Sequence, residues 1–118
     1  MIDEGDVVLT PLPQADGHLK NRPALVLRRM PPFGDLLVCG MSTQLTRAVA
    51  DFDEVFEAAD SDFASSGLKA PPLIRLGYLA VLPPNKLLGK IGSVSTERRR
   101  RLLRRLCRHM TPDPIPPS

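Results

Sequence analysis

Arg22-Pro23-Ala24-Leu25-Val26-Leu27-Arg28-Arg29, then Met30-Pro31-Pro32-Phe33-Gly34-Asp35, then Leu36-Leu37-Val38-Cys39-Gly40-Met41 is the stretch that decides the fold. The nearly continuous apolar run from Pro23 to Arg29 predicts a strand, and Leu36 to Met41 predicts its neighbour. Between them, the prolines and glycine of Met30 to Asp35 make a turn. Nothing there is long enough for a crossover helix, so the two strands run antiparallel in a meander.

Working outward, Asp6 to Leu12 reads as a preceding strand, entered by Gly5-Asp6 and stopped by Pro11 and Pro13. Gln14 to Asn21 is a polar connection with Asp16-Gly17 as its turn signal. On the other side, Asp53 to Ala58 alternates apolar with acidic residues, the pattern of an edge strand with one wet face. Asp60 to Ala70 is polar and small. Leu73 to Leu76 and Tyr78 to Leu82 read as two short strands around Gly77, and Leu87 to Ile91 as another after the Pro83-Pro84-Asn85 turn.

The last element, about residues 95–110, is a helix. Ser95 suits its N-cap and Glu97 its first turn. Leu102, Leu103, Leu106, Cys107 and Met110 recur at helical spacing, so this stripe, Cys107 included, is expected in the core with arginines covering the rest. Residues 111–118 are Pro-rich and expected to be disordered. The expectation is one domain over residues 1–110, mainly β with a C-terminal α-helix, built as an SH3-like small barrel.

The bulk numbers set limits. At 118 residues the chain can bury a core without staples. Aromatics make up 4%, with no Trp, so the core rests on Leu, Val, Ile and Ala, and a scheme with several aromatic platforms for bases is weakened. Cys39 and Cys107 lie far apart with no metal-ligand spacing, which points to reduced thiols and no zinc site. No cofactor is expected, and no His/Asp/Glu cluster suggests a metal. The start, Met1-Ile2-Asp3-Glu4-Gly5-Asp6, lacks the apolar run of a signal peptide, and no stretch could span a bilayer, so a cytoplasmic location with no membrane contact is expected. The net charge of +3 is unevenly spread. Asp51, Asp53, Glu54, Glu57, Asp60 and Asp62 crowd the middle, whereas Arg98 to Arg101, Arg104, Arg105 and Arg108 crowd the end. Such asymmetry fits a polyanion, an acidic protein partner, or a solvated basic helix face.

Four stretches together resemble the MazF/PemK family of toxin–antitoxin proteins. These are Gly5-Asp6-Val7-Val8-Leu9, then Gly17-His18 with Arg22-Pro23-Ala24-Leu25-Val26, then Cys39-Gly40-Met41-Ser42-Thr43-Gln44, and finally Leu73-Ile74-Arg75-Leu76 with the segment from Ile91 onward. Their order and spacing, from about Asp3 to His109, carry the likeness. The resemblance implies an SH3-like barrel, a homodimer, an acidic antitoxin as partner, and metal-independent cleavage of single-stranded RNA, mRNA foremost.

In such cleavage the ribose 2′-OH attacks the neighbouring phosphorus, which needs proton transfers and positive charge on the phosphorane. The resemblance implies that Arg22 is catalytic, and its guanidinium fork suits a phosphate at any pH. Ser42 matches a hydroxyl residue that works beside that arginine; the competing reading is turn chemistry at a strand end. Thr43, Gln44 and Lys20 are candidate RNA contacts. His18 matches a candidate acid or base. Arg75 matches an arginine that acts with an Asp two places later, where this chain carries Gly77. That departure keeps open a degenerate member that binds RNA or a protein without cutting. A peptide-binding SH3-like adaptor is disfavoured, because such grooves are lined with aromatics.

Overall fold

The structure is a computed structural model that describes residues 1–113. Most of the Pro-rich tail, residues 114–118, lies outside the described residues, as does the expectation made for it.

Six strands form one antiparallel sheet, curled into a half-barrel. They are β1 (Asp6–Pro13), β2 (Leu19–Met30), β3 (Asp35–Ser42), β4 (Glu54–Val55), β5 (Leu73–Leu82) and β6 (Gly89–Ser93), in the order β4-β5-β3-β2-β1-β6. A single helix, α1 (Thr96–Met110), follows them. The expected architecture, mainly β with a C-terminal helix, is the one observed.

Both faces of the sheet are covered, which is why β2 reads as a continuous apolar run rather than an alternating one. Leu25 and Leu27 face a core shared with Cys39, Ile74, Leu76 and the helix residues Leu102 and Leu106. Ala24 and Val26 face the opposite core with Val8, Leu12, Leu36 and Val38. Fully burying a Val or Leu side chain contributes about 1.5–3 kcal/mol, so these two small cores carry the domain without aromatic bulk.

Several boundaries differ from the sequence expectation, each for a physical reason. Pro11 and Pro13 do not stop β1, whose pairing with β2 continues to Pro13 opposite Leu19. The partner on the other side, β6, pairs only with Asp6 to Leu9, so both prolines lie where β1 has one free edge and a missing N–H costs little. Consequently β2 begins at Leu19, and Lys20 lies on a strand rather than in a loop. The edge strand expected over Asp53 to Ala58 shrinks to two residues. Asp53 uses its carboxylate in place of a ladder, accepting from Val49 N and Leu76 N. Beyond the strand, Phe56 turns fully into the core. The last strand starts at Gly89 rather than Leu87, because Pro84–Lys86 forms a 3-10 turn first.

The helix begins as expected, with Ser95 Oγ accepting from Arg98 N at 3.1 Å. The buried stripe is narrower than expected: Leu102 and Leu106 are buried, whereas Cys107 and Met110 are exposed. At 3.6 residues per turn Cys107 points about 140° away from Leu102, so it cannot share its core. Cys39 is buried as expected, and burial pushes its thiol up to about 12. Arg98 takes the place that Cys107 does not. It is 5% exposed and donates to both Asp62 oxygens at 2.9 Å, to Asp60 at 2.9 Å, and to Glu54. Arg101 and Arg105 reach the same Glu54 at 2.8 and 3.3 Å. Much of the acidic middle and basic end therefore neutralise each other within the chain.

β5 is one strand, not two, but it changes face midway. Ile74 and Leu76 belong to the helix-side core, whereas Tyr78, Ala80 and Leu82 pack against the opposite one. Its pairing shows the same break. Met41 opposes Ile74 and Cys39 opposes Leu79, so Arg75 to Tyr78 bulge across the single residue Gly40.

Candidate functional site

The bulge of β5, the end of β3 and the hairpin joining β1 to β2 enclose a groove of about 770 Å³. That is within the usual range for ligand sites. Three cations line it: Arg22 from β2, Arg47 from the 3-10 turn Leu45–Arg47, and Arg75 from the bulge. Among the described residues, no Asp or Glu lines it. With three guanidinium groups and no acidic side chain in the lining, the groove is a preformed seat for an anion.

Local structure positions each group. Arg22 sits opposite Thr10 on the hairpin, at the groove end of the face that carries Ala24 and Val26. Its guanidinium donates to Gln14 Oε1 at 3.3 Å, a neutral partner that orients the fork without quenching its charge. Ser42 closes β3, and its Oγ accepts from Gln44 N at 3.0 Å. This is turn chemistry, and it leaves the hydroxyl proton free to donate into the groove.

Tyr78 forms the floor beside Arg75, whose guanidinium carbon lies 5.7 Å from the ring centroid. The Tyr78 hydroxyl donates to Pro13 O across the groove. Gly40 makes room for the ring: a Cβ at that position would stand 2.9 Å from Tyr78 Cδ1, closer than real contacts allow. Gly77 is exposed at the rim. A Cβ there would meet only Phe52 Cε2, at 3.7 Å, so no steric demand requires glycine.

Of the residues singled out from the sequence, Arg22, Ser42, Thr43, Gln44 and Arg75 come together at this groove. His18 and Lys20 do not line it. The His18 side chain is 85% exposed at the hairpin tip and lies 3.4 Å from Asp16, which places it with solvent rather than with the arginines. Lys20 is exposed on β2. Sequence reasoning did not place Arg47 or Tyr78 at this groove. Arg47 sits in a short turn without periodicity, and only folding shows which way it faces. Tyr78 had a signal, being the chain's single Tyr beside Arg75 and the glycine break. Among the described residues, no group of three His, Cys, Asp or Glu side chains is placed to hold a metal ion. Nor is any helix there long and apolar enough to cross a membrane.

Comparison with known proteins gives the family and the fold. The family model described as the PemK-like, MazF-like toxin of type II toxin–antitoxin systems matches residues 3–110. No curated protein sequence matches the chain. Among solved structures, an endoribonuclease in complex with its cognate antitoxin from a mycobacterial species superposes with a TM-score of 0.68 at 16% identity. The match covers 97% of this chain and 100% of that one. The toxin MazF-mt6 of Mycobacterium tuberculosis superposes with a TM-score of 0.60 at 22% identity, covering 86% and 91% of the two chains. At such identities these structures establish a shared fold.

Proposed function

The chain belongs to the PemK-like, MazF-like toxin family of type II toxin–antitoxin systems, and from that premise we propose that it cuts single-stranded RNA without a metal ion. The observation that carries this reading is the groove lined by Arg22, Arg47 and Arg75 with no acidic residue among them. A phosphodiester brings negative charge, and its in-line attack by the 2′-OH concentrates more of it on the non-bridging oxygens of the phosphorane. Guanidinium forks already in place stabilise that charge where it develops and need no reorganisation. The Ser42 hydroxyl adds a neutral donor. As the 2′-OH gives up its proton to water and its oxygen bonds to phosphorus, the bond to the 5′-oxygen breaks and that oxygen takes a proton from water, leaving a 2′,3′-cyclic phosphate and a 5′-OH end. DNA has no such nucleophile and is spared.

Among the described residues, neither a carboxylate nor an imidazole lines the groove. Charge stabilisation therefore carries the rate in this proposal, and His18 has no direct part. The same observation favours a second reading, in which the groove binds RNA or an acidic segment without cutting. The natural regulator in either case is an acidic antitoxin whose carboxylates compete for the three arginines, acting on a homodimer.

The test is incubation of the purified protein with a long single-stranded RNA in EDTA, beside Arg22→Ala, with ends mapped by sequencing. Discrete cuts bearing 5′-OH ends, reduced about 10²- to 10³-fold by the substitution, are expected. Intact RNA with a correctly folded protein would leave the binding module as the surviving reading.

A further inference from the structure

We propose that Tyr78 is the seat of one unpaired nucleobase and so helps set which RNA sequence the groove accepts, an inference that rests on the groove being an RNA site. Tyr78 is the one aromatic side chain among the residues that line it. Three features hold its ring ready before any ligand arrives. The change of face at Gly77 turns residue 78 away from the helix-side core and toward the groove side of the sheet. The absence of a side chain at Gly40 lets the ring settle against the β3 backbone. The hydroxyl, bonded to Pro13 O, fixes the far end of the ring against rotation. An aromatic held at both ends loses little freedom on stacking, which is where most such contacts lose affinity.

Charge around the ring supports the same occupant. The Arg75 guanidinium lies over the Tyr78 ring, 5.7 Å from its centroid, so a base seated there would take the place of that cation and leave Arg75 to turn to the base's own phosphate. Arg22 and Arg47 line the rest of the groove and suit the flanking phosphates. A flat apolar surface ringed by cations matches a nucleotide better than an acidic peptide, whose carboxylates would use the arginines and leave the ring idle. Stacking by itself is tolerant of base identity. Selectivity would come from the neutral donors and acceptors beside the ring, Gln14 and Gln44.

The test separates binding from cutting. The tightest-binding 12-mer is selected from a random pool of 2′-fluoro RNA, which has no 2′-OH to attack. Its affinity is measured by fluorescence anisotropy with an abasic nucleotide placed at each position in turn. For the wild-type protein and for Tyr78→Phe, one abasic position should weaken binding on the order of 10- to 100-fold. For Tyr78→Leu, which keeps apolar packing, that penalty should fall below about 3-fold. Gly40→Ala, whose methyl displaces the ring without changing it, should shrink the same penalty. An abasic profile in Tyr78→Leu identical to wild type would overturn the proposal, as would a profile with no sensitive position or a pool that is not bound at all. A Tyr78-dependent penalty on a protein that never cuts RNA would leave the seat standing and remove the ribonuclease reading. Cutting without any Tyr78-dependent penalty would do the reverse.

Discussion

Arginines do opposite work in two regions of this molecule. Under α1, Arg98 is nearly enclosed and surrounded by Glu54, Asp60 and Asp62, with its ring-facing side 4.0 Å from the Phe56 centroid. In the groove, Arg22, Arg47 and Arg75 meet neutral partners or none of opposite sign in the lining. The first region spends its charge on itself and is a structural lock. Hydrogen bonds from Arg98 hold Asp62 far below the usual carboxylate range, against its burial. For Glu54 burial works upward, but Arg101 and Arg98 together outweigh it and lower it. The second region leaves its charge unspent, and a protein keeps unspent charge in a concave site when a ligand is to supply the counter-charge. Counting arginines along the sequence cannot tell the two apart; their partners can.

The contrast yields its largest expected effect at Arg98. Arg98→Leu should strand buried carboxylates and cost about 3–5 kcal/mol of stability, read as a fall in the thermal midpoint of roughly 10–20 °C. If the midpoint barely moves, the lock is not one. Next comes Arg22→Ala, expected to lower the rate of RNA cleavage about 10²- to 10³-fold while stability stays within about 0.5 kcal/mol of wild type. A loss of fold there would erase the distinction between the regions.

Acid sharpens it further. Asp62 and Glu54 are depressed in the folded chain relative to ordinary values of 3.8 and 4.5. The unfolded chain therefore takes up protons first, and the stability these groups contribute is full above about pH 5 and drains as pH falls through 4.5 and below. A midpoint measured from pH 6 to 3 should drop by the equivalent of about 1–3 kcal/mol, and the slope should flatten in Arg98→Leu. The smallest effect belongs to Gly77→Asp. The site has room for the side chain, so stability should stay within about 0.5 kcal/mol. A carboxylate at the rim should weaken RNA binding by roughly 3-fold. A rise in cleavage instead would mean that the groove lacked a proton-transfer group, not only counter-charge.

The sequence carries much of this wherever local pattern suffices. Ala24 to Leu27, the Pro31-Pro32 turn and Leu36 to Cys39 are visible because propensity, burial and turn chemistry agree there. So are the Ser95 cap and the ordered fragments that brought Arg22, Ser42, Thr43, Gln44 and Arg75 forward. The rest depends on contacts far apart in the chain. Arg98 precedes Leu102 and Leu106 at helical spacing, so it continued the buried stripe in plain view. Reading it as buried, however, requires Asp62 to be its neighbour, 36 residues away. Cys107 shares the apolar spacing but lies off the buried face, which is narrower than that spacing suggests. His18 and Lys20 flank the matched motif, but the hairpin carries them past the groove. Fragments in sequence order say which residues are near a site, not which of them face it.

The change of face in β5 has a consequence for how such a site can diversify. A one-residue slip in an ordinary strand would exchange inside for outside along its whole length. Here the backbone has already left the β3 ladder between Ile74 and Leu79, so a residue gained or lost after Leu76, which stays in the helix-side core, is absorbed on the spot. Leu36 and Val38 would keep their partners, and Met41 would keep Ile74. The groove wall beyond Leu76 is thus spliced into the scaffold at its most forgiving joint, free to vary in length and chemistry while the two cores inherit unchanged neighbours.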